Sequence, residues 1–102
     1  MARFHVYRIN RPDTIFVLDV QSNYLDKYNT RVVVPLVTSG HPLVMGPGRL
    51  HPNVTIDGHS FALVPQQLGA IPISELGALV TNLEYEHRDA IVAALDFLFE
   101  GY

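Results

Sequence analysis

Asp57, His59 and Ser60 are the residue types of a hydrolytic triad and lie within four positions of one another. Successive side chains of an extended segment point to opposite faces, whereas a triad needs its three groups to converge within hydrogen-bond reach. The trio therefore reads as a turn aspartate followed by polar strand residues. Histidines at 5, 41, 51, 59 and 87 are the other potential ligands, and His41 and His51 share one loop. Their spacings match no metal motif, and with no cysteine and no HExxH pair they are expected at the surface or partly buried, holding no metal or cofactor. Gly46-Pro47-Gly48 lacks the Gly-Lys-Ser/Thr and the following helix that would cradle a phosphate. Asp89 and Asp96, seven apart, share a helical face and could flank a substrate, although a hydrophilic helix edge is the plainer account. Glu84 and Glu86 suit the positive end of a helix dipole. No catalytic residue emerges.

The elements that must position these groups are mostly strands. Phe4 to Ile9 is a short β-type run ending in the turn formers Asn10-Arg11-Pro12-Asp13, and Thr14 to Val20 is rich in β-branched and aromatic residues, so the two make a first hairpin. A polar corner at Ser22-Asn23 and a brief turn at Tyr24-Leu25 lead to Arg31–Val37, a run apolar enough to be buried on both faces. Pro35 within it cannot donate to a ladder and marks a bulge, a bend or an unpaired side. Thr38 to Pro52, crowded with Gly and Pro, is a long loop. Asp57-Gly58 supplies the positive φ angles of a tight hairpin between Val54–Ile56 and His59–Val64. Leu68–Ile73 reads as extended and Ser74–Gly77 as one helical turn. Thr81-Asn82-Leu83-Glu84 has capping-box spacing and predicts a helix to about Phe99, with Gly101 as its terminator. Ile91, Ala94, Leu95 and Leu98 fit its period, while Val92, Phe97 and Phe99 spread apolar surface around the other side. Such a helix is either deeply packed or shared with another chain.

Size and composition bound the partners. The 102 residues suit one domain, 1–102, and 48% hydrophobic with 17% charged residues supports a real core. So high an apolar share in a small domain favours a dimer surface. A net charge of −3 with dispersed Lys and Arg gives no footprint for direct nucleic-acid binding. The start Met1-Ala2-Arg3-Phe4-His5 has no apolar h-region and no run approaches the ~20 residues that span a bilayer, so a cytoplasmic protein without a membrane partner is expected.

Phe4-His5-Val6-Tyr7, Asp19-Val20-Gln21-Ser22, Leu25-Asp26, Arg31-Val32-Val33-Val34-Pro35-Leu36, Ile71-Pro72-Ile73-Ser74 and the tail Glu100-Gly101-Tyr102 occur in an order and spacing that resembles the CcdB family of bacterial toxins. The resemblance implies a mainly β fold, an SH3-like β-barrel of the CcdB/MazF type plus a small additional sheet and a C-terminal α-helix. It also implies a homodimer that is not itself an enzyme, binds the A subunit of DNA gyrase, traps the gyrase–DNA cleavage complex, and is neutralised by a CcdA-like antitoxin with a disordered tail. Carried over by position, the gyrase-binding residues are Ser22, Tyr24, Leu25, Asp96, Glu100, Gly101 and Tyr102. Glu100 stands where the family's best-known member has a tryptophan central to its gyrase contact, and Tyr102 where it has isoleucine. The competing readings are a MazF-like endoribonuclease toxin, which shares the barrel, a degenerate toxin that binds an antitoxin without poisoning gyrase, and a small interaction module alike in fold alone.

Overall fold

The computed structural model describes all residues except 13. Seven strands, β1 (His5–Arg11), β2 (Thr14–Asp19), β3 (Thr30–Thr38), β4 (Asn53–Ile56), β5 (His59–Leu63), β6 (Gly69–Pro72) and β7 (Leu79–Asn82), precede one helix, α1 (Glu84–Glu100). The first hairpin forms as expected, with Val6 opposite Leu18 and Arg8 opposite Phe16; Asp13 of its anticipated turn lies outside the described residues. The sheet runs β4-β5-β3-β2-β1-β7, and β6 also pairs with β3.

β3 organises this half-barrel. Its N-terminal half pairs with β6, from Thr30 opposite Pro72 to Val33 opposite Gly69, and its C-terminal half pairs with β5, from Leu36 opposite Leu63 to Thr38 opposite Phe61. Pro35 sits where the partner changes. Its carbonyl accepts from Val64 N at 3.1 Å on that side, so the missing N–H falls between the two partners and costs no ladder bond. This branching corrects one expectation: the additional strands join a single continuous sheet instead of forming a separate small one.

Side chains of β2 and β3 alternate between two apolar clusters, as the period of two requires. Phe16, Leu18, Val34 and Leu36 face a core closed by Phe4, Val6, Phe61, Leu63 and Ile91 of α1. Val17 and Val33 face the other way, onto Tyr7, Ile9 and Ile71. β3 is thus buried on both faces, as its composition predicted. Asp57 (φ 52°) and Gly58 (φ 79°) form the tight turn between β4 and β5.

The helix starts differently from the expected capping box. Thr81 is taken by β7, opposite Val6, and cannot cap. Leu83 occupies the cap position without a side-chain bond, and Asn82 Oδ1 accepts from Glu84 N at 2.9 Å instead. Only Ile91 and Ala94 of α1 are fully buried, and Phe99 remains 68% exposed, so the helix is not deeply packed in one chain.

Candidate functional site

The corner between β2 and β3 is built on a buried ion pair. Arg31 Nε donates to Asp19 Oδ2 at 2.7 Å and Arg31 Nη2 to Asp19 Oδ1 at 3.0 Å, with both side chains fully buried. Arg31 Nη2 also donates to the Gln21 carbonyl at 3.2 Å, and Gln21 N donates to Asp19 Oδ1 at 3.0 Å. The Gln21 amide then works in both directions: Oε1 accepts from Val32 N at 2.9 Å and Nε2 donates to the Leu25 carbonyl at 3.0 Å. Above this, Asn23–Leu25 makes one 3₁₀ turn, capped by Ser22 Oγ accepting from Tyr24 N at 3.2 Å. Tyr24 is consequently held 97% exposed and Leu25 44% exposed over a rigid polar base. Removing one partner of such a buried pair costs about 3–5 kcal/mol, because the other charge is left uncompensated.

The tail is assembled otherwise. Asp96 and Glu100 are exposed on α1 and have no ion-pair partner among the described residues. Gly101 closes the helix at φ 81°, its N–H donating to the Phe97 carbonyl at 2.9 Å, and Tyr102 is 77% exposed. Ser22 and Tyr24 border the start of the helix, beside Glu84 and Arg88. Glu100 lies twelve residues beyond Arg88, roughly 18 Å along the axis. Within one chain the seven anticipated residues therefore form two groups, the corner with Ser22, Tyr24 and Leu25, and the tail with Asp96, Glu100, Gly101 and Tyr102. No hydrogen bond or ion pair among the described residues joins them.

A family model described as CcdB protein matches residues 3–101. The chain belongs to the CcdB family. That membership supports reading it as the toxin of a toxin–antitoxin pair. Solved structures of similar shape include an endoribonuclease in complex with its cognate antitoxin from a mycobacterial species, 16% identical, with a TM-score of 0.78 over 97% of this chain and 94% of that one. Another is the Mycobacterium tuberculosis toxin MazF-mt6, 18% identical, with a TM-score of 0.75 over 94% of this chain and 96% of that one. At such identities the likeness establishes the fold: this CcdB-family chain has the MazF-like half-barrel with a C-terminal helix.

In this CcdB-family chain the groups first weighed for catalysis stay apart. Asp57 is in its turn, and Ser60 Oγ is 2.7 Å from Ser39 Oγ instead of engaging His59. No three His, Asp or Glu residues among those described are placed to hold a metal. His51 departs from the expectation of a surface or partly buried ring: it is only 4% exposed, with Nδ1 2.9 Å from the Leu63 carbonyl and Nε2 2.8 Å from that of Met45, and so ties the long loop to β5. Sequence reasoning also missed the roles of Asp19 and Arg31. Their signal was one charge at the end of β2 and an opposite one at the start of β3, two otherwise apolar strands whose antiparallel pairing brings these adjoining ends together out of water.

Proposed function

We propose that this CcdB-family toxin acts by binding the A subunit of DNA gyrase and trapping the gyrase–DNA cleavage complex, as a cytoplasmic homodimer neutralised by a CcdA-like antitoxin, and without enzymatic activity of its own. The observation that carries the reading is the family match over residues 3–101, which spans the corner and the tail as far as Gly101. Added support comes from Tyr24, Leu25, Phe99 and Tyr102, apolar or aromatic groups standing in solvent on a folded scaffold. An interface core enriched in aromatic side chains fits such groups. A dimer accounts for the open apolar side of α1 and would let two protomers present their corners and tails to one partner. In the tail, Glu100 takes the tryptophan's place by accepting a charge-assisted hydrogen bond from an arginine of gyrase, in exchange for a cation–π contact.

Removing residues 100–102 tests this assignment. Growth arrest on expression is expected to disappear while the protein stays folded; undiminished toxicity would refute the role given to the tail. Sedimentation at micromolar concentration should give the mass of two chains.

The likeness to endoribonucleases favours one second reading, an RNA-cleaving toxin. It requires an extended track of cations for an RNA backbone, whereas Arg11 is paired to Glu75 at 2.7 Å, Arg31 is buried against Asp19 and the other Lys and Arg residues are dispersed along the chain. Cleaved cellular RNA on induction, with gyrase unaffected, would make that reading the correct one.

A further inference from the structure

Next to the corner lies a cleft of about 210 Å³ lined by Arg3, Phe4, Ser22, Tyr24, Glu84 and Arg88. Two guanidinium groups approach one ring there, with Arg3 Cζ 4.8 Å and Arg88 Cζ 5.7 Å from the centre of Phe4. An aromatic face attracts a cation without neutralising it. Arg3 Nε donates to the Val20 carbonyl at 3.1 Å, and neither guanidinium has an ion-pair partner among the described residues. Arg11 and Arg31, by contrast, each meet a carboxylate at 2.7 Å. The Phe4 backbone is itself unusual: φ is 71°, a region that bulky residues rarely occupy. It is fixed there by Phe4 N donating to the Asp19 carbonyl at 2.7 Å and by Leu83 N donating to the Phe4 carbonyl at 2.9 Å. Strained positions held this firmly cluster at binding sites. Here the strain buries the ring that both arginines share.

We propose that this cleft receives an aspartate or glutamate side chain from the A subunit of gyrase, clasped between Arg3 and Arg88 while Tyr24 lies against the adjoining backbone. The proposal rests on the gyrase reading above and adds the chemistry the corner recognises. A planar guanidinium matches the two oxygens of a carboxylate. Ser22 Oγ already accepts from Tyr24 N, so its own proton is free for the same ligand. Glu84 lines the same cleft, which leaves two cations against one anion. The chain as a whole carries −3, so this is a local spot of positive charge and not the extended cationic track a nucleic-acid backbone needs.

Two measurements on the full chain decide it. In the first, the labelled protein is titrated with a glutamate-containing tripeptide amide, with chloride at equal ionic strength as the control and inorganic phosphate as a separate arm. Saturable shifts of the Arg3 and Arg88 Nε–H signals and of the Ser22 and Tyr24 amides are expected with the peptide, absent at Arg11 and lost in the Arg3→Gln/Arg88→Gln variant. No localised shift, or a preference for phosphate, overturns the carboxylate site. In the second, binding to the purified dimerisation region of the gyrase A protein is followed against salt. The double variant, with an unchanged unfolding transition, should bind at least about tenfold more weakly and with a flatter salt dependence. Equal affinity and slope overturn the proposal while leaving the gyrase reading intact. A failure of the unmodified chain to bind gyrase overturns that reading and the named source of the carboxylate, and the peptide titration then decides the site by itself.

Discussion

The Gln21–Leu25 corner and the Glu100–Tyr102 tail are built in opposite ways. The corner is a single turn of exposed residues on a fully buried Asp19–Arg31 pair, with Gln21 bonded to both flanks. Beyond the helical bonds of Glu100, the tail has the Gly101 N–H to Phe97 carbonyl bond and no side-chain tie among the described residues. A surface fixed before binding loses little conformational freedom on association, whereas a loosely held one adapts at an entropic cost. Tolerance to change follows from this difference. Glu100 belongs to the loosely held part, at the last turn of α1, while the clamped part holds Gln21-Ser22 over its buried base.

The most damaging change should be Arg31→Met, which leaves Asp19 buried and unpaired. A loss of about 3–5 kcal/mol is expected in denaturant unfolding, largely recovered when Asp19→Leu is added. A single variant as stable as the parent would remove the foundation assigned to the corner. Gln21→Leu should cost roughly 1–3 kcal/mol, since the Val32 N–H and the Leu25 carbonyl both lose a partner. Its distinctive sign is faster exchange of the Val32 amide, with protection in β4 and β5 unchanged; slow exchange at Val32 would make the corner independent of the clamp. Gly101→Ala places a side chain at φ 81° and should cost about 1 kcal/mol, seen only as loosening of the last turn of α1. Deleting residues 100–102 removes that same capped turn and nothing of the core, so it should cost no more than about 1 kcal/mol. A larger loss would mean that the tail belongs to the core.

Much of this architecture was legible because the deciding residues act locally. Asp57-Gly58 specifies its turn through positive φ, Gly101 ends its helix for the same reason, and the apolar run of β3 announces burial on both faces. What was hidden depends on partners distant in the chain. Thr81 has the right spacing to cap α1, but pairing with β1, about seventy-five residues away, claims it for β7. Pro35 announces a break without revealing that the strand changes partners there. For the candidate site, the resemblance located the corner and the tail, but their placement at opposite ends of α1 exists only in three dimensions. Asp19 and Arg31 meet only because β2 and β3 are paired, and Arg3 and Arg88 line one cleft only because the chain's first residues and α1 both pack against the Phe4 ring.

The most direct test of the central claim is to incubate the purified chain with gyrase and supercoiled plasmid, then quench with denaturant and look for linear DNA. Gyrase from the source organism and a standard gyrase serve side by side. Linear DNA that depends on the chain, and that disappears when residues 100–102 are removed, is the predicted result. Intact plasmid with both enzymes, from protein that is folded and dimeric, would contradict the assignment of this toxin as a gyrase poison.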